Sequence, residues 1–381
     1  MEVKVCIIND NFDMGGVQRV ATEIANGLSK EGVKVSLIDF SGKNYYYYKL
    51  NKNIIKNNVI RRRSIKRKVL NKLASYKIKK YNKTFSILTF YKEQVSDLIS
   101  FLKTSNYDVI ILCQGLLTAF IPYIKKELPN IKFVAWQHNE FDIYINKYYK
   151  KYLQEYLFGI EEADLVVSLT EKDKQKFAAF NNKSVFMYNP LTLSSKRLSS
   201  LDNKNIIFVG RIVLEQKGLD YLIEIGKKIK EDWKILVAGD GPDLSEFQKL
   251  VLENNLNNKI ELKGTLNSDQ LCELYQSGSI FISTSRWEGF GLVITEAMAA
   301  GLPIVSFKNN GPEEILKNGQ YGILVEKNNI NEFINHLNNL IESKDKRKNL
   351  QEKGIIRIKD FEKKTIIKKW CFYLQKITQE R

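Results

Sequence analysis

This 381-residue chain encodes an α/β architecture of two doubly wound parallel-sheet domains in tandem. Three features lead there. Short, near-continuous Val/Ile/Leu runs recur from end to end, as strands covered on both faces require. Stretches with helical spacing separate the runs, so successive strands should pair in parallel through right-handed crossovers. The alternation breaks once, at a polar, serine-rich stretch over 189–203 that reads as an interdomain linker.

In chain order, strands are predicted at 3–8, 33–39, 109–112, 133–136, 165–168 and 184–187, with a helix over 18–30. These make a first Rossmann-like domain over 1–190. The second domain, 191–360, has strands predicted at 206–209, 235–238, 260–262, 280–283 and 304–306, with helices over 221–230 and 292–300. About six strands are expected in each half, with a cleft between them. Over 361–377, Ile366, Ile367, Trp370, Tyr373 and Leu374 form one apolar stripe of an amphipathic helix that needs a surface to cover it.

Composition narrows the class. At 44% hydrophobic and 27% charged residues, the chain suits a soluble protein with sizeable cores. Sixty Lys and Arg against 43 Asp and Glu give a net charge of +17. The excess is local: residues 43–83 hold 15 basic residues and no acidic one. A uniformly basic nucleic-acid coat is thereby excluded in favour of one anion-binding surface. Cys6, Cys113, Cys272 and Cys371 form no CxxC, which fits a reducing compartment. With two histidines and no Asp-x-Asp triplet, neither a metal nor another cofactor is expected. No apolar run approaches the ~20 residues that span a bilayer. The opening MEVKVCIIND reads as a strand rather than a signal peptide, so a cytoplasmic location is expected.

In open parallel sheets, ligands sit at the carboxyl ends of strands. Four segments fall there. Gly15-Gly16 precedes the first helix, where exposed amides can meet an anion, although such a pair is more often plain turn chemistry. Gly210-Arg211 and Lys217-Gly218 set two cations six residues apart, suited to a phosphate or merely solvated. Glu288 and Glu296 flank Gly289-Phe290-Gly291-Leu292-Val293 at a helix start, where carboxylates can accept from sugar hydroxyls. His138 follows the strand 133–136 and is a candidate ligand contact.

Together these residues resemble the family 4 retaining glycosyltransferases of the GT-B fold. Gly239-Asp240-Gly241-Pro242, the continuation from Glu296 through Gly301 to Pro303, and Gly311-Pro312-Glu313-Glu314 add to the likeness. The resemblance implies a nucleotide-sugar donor held mainly by the second domain. Arg211 and Lys217 would bind its diphosphate and stabilise the departing charge. Glu288 would bind the donor sugar and Glu296 the ribose. Gly15, Gly16, Gly239, Phe290, Gly291, Leu292 and Val293 would line the donor site, and His138 would contact the sugar from the acceptor side. Residues 361–381 would pack back on the first domain. Transfer with retention of anomeric configuration and without a metal comes from the family. A uridine-linked donor and a glycan, wall-polymer or lipid-linked acceptor are expected. A non-catalytic partner subunit, or a phosphorylase-like reaction on the same fold, would be the alternative.

The basic segment has its own reading. Arg61, Arg62, Arg63, Lys66, Arg67 and Lys68 surround a stripe of Ile65, Val69, Leu73 and Tyr76. That suits a helix lying on an anionic membrane, placing the protein peripherally on its inner face. Contact with a polyanionic acceptor comes next, then a helix packed on the core. No nucleic-acid module accompanies the segment.

Overall fold

The computed structural model describes residues 3–62, 69, 71–72, 76, 86–193 and 197–379. The chain divides into two compact units: Met1–Pro190 with Lys363–Arg381, and Leu191–Glu362.

The first unit is built on a seven-stranded parallel sheet in the order β3-β2-β1-β4-β5-β6-β7. Its strands are β1 Lys4–Asn9, β2 Lys34–Asp39, β3 Ile55–Lys56, β4 Val109–Cys113, β5 Lys132–Trp136, β6 Leu165–Ser168 and β7 Ser184–Phe186. Every residue of β4 and β6 is buried, which is why these stretches read as unbroken apolar runs. β3 escaped prediction because it is two exposed residues on the sheet edge, with no run to detect.

The second unit has a six-stranded parallel sheet in the order β10-β9-β8-β11-β12-β13. Its strands are β8 Asn205–Val209, β9 Lys234–Ala238, β10 Ile260–Gly264, β11 Ile280–Ser283, β12 Ile304–Phe307 and β13 Ile323–Val325. The three-residue β13 was also not predicted. In both sheets the winding reverses once, between β1 and β4 and between β8 and β11. Those two points are where an open α/β sheet leaves room for a ligand.

The last helix, Lys363–Gln379, belongs to the first unit. Ile366, Ile367, Trp370, Leu374 and Ile377 are buried on one stripe, each worth roughly 1.5–3 kcal/mol by area. The Trp370 and Trp136 rings meet edge-on at 4.8 Å. Ile367 lies so close over the helix Gly16–Lys30 that a Cβ at Gly27 would come within 2.2 Å of its Cδ1. The switch back to the first unit comes after residue 362, not at 361 as expected. Phe361 is fully buried in the second unit, with the Arg357 guanidinium 4.7 Å over its ring and its carbonyl accepting from Leu191 N–H. Among the described residues no helix is long and apolar enough to cross a membrane.

Candidate active site

At the switch point of the second unit, two loops leave β8 and β11 side by side. The β8 loop runs through Gly210 and Arg211 into a single helical turn, Leu214–Lys217. Gly218 ends that turn at φ 60°. A Cβ there would be strained and would also lie 2.3 Å from the Thr284 carbonyl oxygen. The Thr284 hydroxyl, in turn, donates to the Lys217 carbonyl at 2.7 Å. Sequence and sterics thus fix where the Lys217 side chain starts.

From there Lys217 lies over Gly210, with its Cε 3.4 Å from where a Cβ would be, and forms an ion pair with Glu288. The two side chains are only 13% and 17% exposed, so water screens the pair little. Ser285 adds a hydroxyl 3.5 Å from the same Glu288 oxygen. Arg211 is exposed and makes no ion pair among the described residues. The structure therefore brings Lys217 and Glu288 into contact and leaves Arg211 projecting to solvent.

Residues the motif reading passed over hold this arrangement. The Arg286 guanidinium takes Asp220 in a two-pronged grip, at 2.9 and 2.6 Å, and donates to the Glu215 carbonyl at 3.1 Å. It also stacks 4.5 Å over the Tyr221 ring, and its backbone N–H reaches the Gln216 carbonyl at 2.8 Å. Asn309 donates from Nδ2 to the Ser285 carbonyl at 2.8 Å. The loop after β11 is thus tied to the turn bearing Lys217 on one side and to β12 on the other. The signal was present: an arginine two residues before Glu288, at a strand's carboxyl end.

Glu296 occupies the second turn of the helix Leu292–Ala299, which opens at Gly291. Its carboxylate is 3% exposed, and its two oxygens accept from the Thr192 hydroxyl at 2.6 Å and the Tyr275 hydroxyl at 3.2 Å. These bonds orient it. Phe290 is buried and Leu292 and Val293 are half-buried at the helix start. Gly239, at φ 144°, sits where a Cβ would come 1.9 Å from the Gly210 carbonyl oxygen. Its absence of side chain is what lets the β8 and β9 loops close on each other.

In the first unit, Gly15 caps the helix Gly16–Lys30. Its N–H donates to the Tyr48 hydroxyl, which donates back to the Gly15 carbonyl, both at 3.3 Å. Asn11 Oδ1 accepts from the Asp13 N–H and from Gln18 Nε2, each at 3.1 Å, completing the turn. His138 donates its backbone N–H to the Tyr144 hydroxyl at 3.0 Å, and its ring packs 4.4 Å from that of Trp136. Burial pushes its pKa down to about 3, so the imidazole is neutral at physiological pH. Its Nε2, like Nε1 of Trp136 and of Trp370, is buried with no hydrogen-bond partner among the described residues.

Of the basic cluster, Arg63, Lys66, Arg67 and Lys68 lie outside the described residues, as do Ile65 and Leu73. Arg61 is engaged by Asp97, with Nε at 2.9 and 2.8 Å from its two oxygens and Nη2 at 2.5 Å. Arg62 donates to the carbonyls of Gly42 and Lys43 at 3.1 and 2.9 Å. Both side chains tie the segment to the unit. Val69 and Tyr76 are helical and 54% and 63% exposed.

Two Rossmann-like units, the second carrying a lysine–glutamate pair on facing loops before a glycine-opened helix, fit the GT-B class of transferases. The comparisons agree. The family described as Glycosyltransferase Family 4 matches residues 14–194, and Glycosyl transferases group 1 matches 192–357. A glycosyltransferase of Haemophilus influenzae is 30% identical over 365 residues, covering 93% of this chain and 95% of its own. The amylovoran biosynthesis glycosyltransferase AmsD of Erwinia amylovora is 26% identical over 379 residues, covering 96% and 98%. In fold, the chain matches S. aureus TarM, solved with fondaparinux, alpha-GlcNAc-glycerol and UDP, at a TM-score of 0.73 and 16% identity over 98% of this chain and all of that one. The chain belongs to the family 4-type GT-B glycosyltransferases and is a transferase enzyme.

Proposed function

We propose that the protein moves a sugar from a uridine-diphosphate donor to a cell-surface glycan, wall-polymer or lipid-linked acceptor, with retention of configuration and without a metal. The observation that carries this reading is the largely water-shielded Lys217–Glu288 pair at the carboxyl ends of β8 and β11. An ammonium held against a carboxylate is ready to share its protons with an incoming diphosphate. Exposed Arg211 supplies a second cation from the same loop. As the bond to the leaving nucleotide breaks, both stabilise the negative charge that collects on its phosphate. Glu288, relieved of part of its partner's charge, accepts from hydroxyls of the donor sugar. Glu296, oriented by Thr192 and Tyr275, does the same for the ribose. His138, neutral, acts as a hydrogen-bonding group rather than a proton carrier.

The uridine donor is supported by TarM's complex with UDP, and the surface-glycan acceptor by AmsD's role in amylovoran biosynthesis. Peripheral attachment to the inner face of the cytoplasmic membrane belongs to the same proposal. The test is transfer from UDP-sugars by the purified chain, with and without EDTA. Full activity in Glu288→Ala would remove the assigned role, and loss of activity with EDTA would remove the metal-free reading.

A further inference from the structure

A cavity of about 690 Å³ lies in the first unit, away from its Gly15 loop. It opens at β7, the sheet edge, four strand spacings or roughly 19 Å across the sheet from β1. Ser184, Val185 and Phe186 of β7 all line it. Successive strand residues point to opposite faces, so the cavity wraps the strand's open edge. Thr365, Lys368, Lys369, Phe372 and Tyr373 of the last helix form the facing wall, their spacing putting them on one helix face. Lys174 closes the side and is paired with Glu171 at 3.1 Å.

The lining chemistry is divided. Lys368 and Lys369 are exposed and have no acidic partner among the described residues. The helix Lys363–Gln379 carries five lysines and no acidic residue at all. Beside the two ammonium groups stands Phe372, 60% exposed, with its ring 5.2 Å from that of Tyr373. An exposed phenylalanine next to unpaired lysines costs hydration unless something amphipathic and anionic covers both. An ordinary solvated face needs the lysines but not the aromatic wall; an acidic peptide needs the strand edge but not Phe372. A phosphate headgroup with hydrocarbon attached uses all of them.

We propose that this groove docks an anionic lipid of a bilayer surface, its phosphate between Lys368, Lys369 and Lys174 and its first acyl carbons against Phe372 and Phe186. The lining shares no residue with the donor loops or with the 43–83 segment, and the proposal stands whichever donor or acceptor the enzyme uses. The test is partition of the full chain onto phosphatidylcholine vesicles with and without phosphatidylglycerol. Lys368→Gln/Lys369→Gln should weaken partition onto the anionic vesicles about thirtyfold. Phe372→Ser should weaken it about fivefold. Both variants should keep the wild-type unfolding midpoint and UDP affinity. A chain neutralised at Arg63, Lys66, Arg67 and Lys68 should still show the Lys368/Lys369 effect. Wild-type partition in both cavity variants would overturn the proposal. So would displacement from vesicles by inorganic phosphate at an ionic-strength-matched concentration, which would mark a site for a free anion.

Discussion

The loops above the two sheets are built by different means. In the second unit, charge does the fixing: Lys217 against Glu288, Arg286 against Asp220, and backbone carbonyls held by Arg286, Asn309 and Thr284. In the first unit the corresponding loop is held mostly by neutral groups, Tyr48 on Gly15 and Asn11 on Asp13 and Gln18, and the ion pair there, Lys43 with Asp13 at 2.6 Å, lies open to solvent. Around it, Asn9 Nδ2, Tyr46 Oη and His138 Nε2 are buried without hydrogen-bond partners among the described residues. An ion pair shielded from water, as Lys217–Glu288 is, fixes a site before its ligand arrives, which suits stabilising the charge of a diphosphate.

The strongest way to break that contrast is to remove the pair. Lys217→Ala and Glu288→Ala should each lower kcat/KM by about 10²–10³-fold, read by initial rates of transfer. Each also leaves the other charge half-buried without its counter-ion, so the unfolding midpoint should be followed alongside. Arg286→Ala touches only the support. It should cost about tenfold or more in kcat/KM through displaced loops, with Arg286→Lys recovering little because it cannot reproduce the two-pronged bond and the stack. Equal rates in Arg286→Ala would mean the loops hold their geometry unaided. On the other side, Tyr48→Phe removes the hydroxyl that makes both neutral hydrogen bonds to Gly15, each worth about 1 kcal/mol. It should change transfer by no more than about fivefold and leave UDP affinity in place.

The smallest expected effect concerns pH. His138 is held neutral by burial, with its folded pKa pushed down to about 3. The unfolded chain therefore binds the extra proton first. Its contribution to stability is complete above an ordinary histidine pKa of about 6.5 and is lost as pH falls from there toward 3. Replacing His138 by Asn should flatten unfolding free energy against pH between about 6.5 and 5, by at most ~1.4 kcal/mol per unit. An unchanged slope in urea titrations would put that sensitivity elsewhere.

Most strands could be read from the chain because both faces of each are covered, and coverage writes itself as consecutive apolar residues. β3 could not, being two exposed residues with no such run, and β13, Ile323-Leu324-Val325, is apolar but only three residues long. The glycines and charged residues at the strand ends were equally visible, since ligand loops of such sheets recur at those points. Their partners were not. Thr192 lies 104 residues from Glu296, and Tyr48 lies 33 from Gly15, so no local pattern links them. Phe361 is a boundary case: it continues the helical stripe in sequence, yet Arg357 and Leu191 hold it in the second unit.

The account stands or falls on the diphosphate meeting Lys217 in the second unit. Calorimetric titration of UDP into the wild-type chain and into Lys217→Gln measures this directly. Losing a charge-assisted contact of about 1.5–3 kcal/mol should raise Kd between about tenfold and 150-fold. Neutralising Arg63, Lys66, Arg67 and Lys68 should leave it unchanged. An unaltered Kd in Lys217→Gln, or a matching loss in the basic-segment variant, would contradict the assignment.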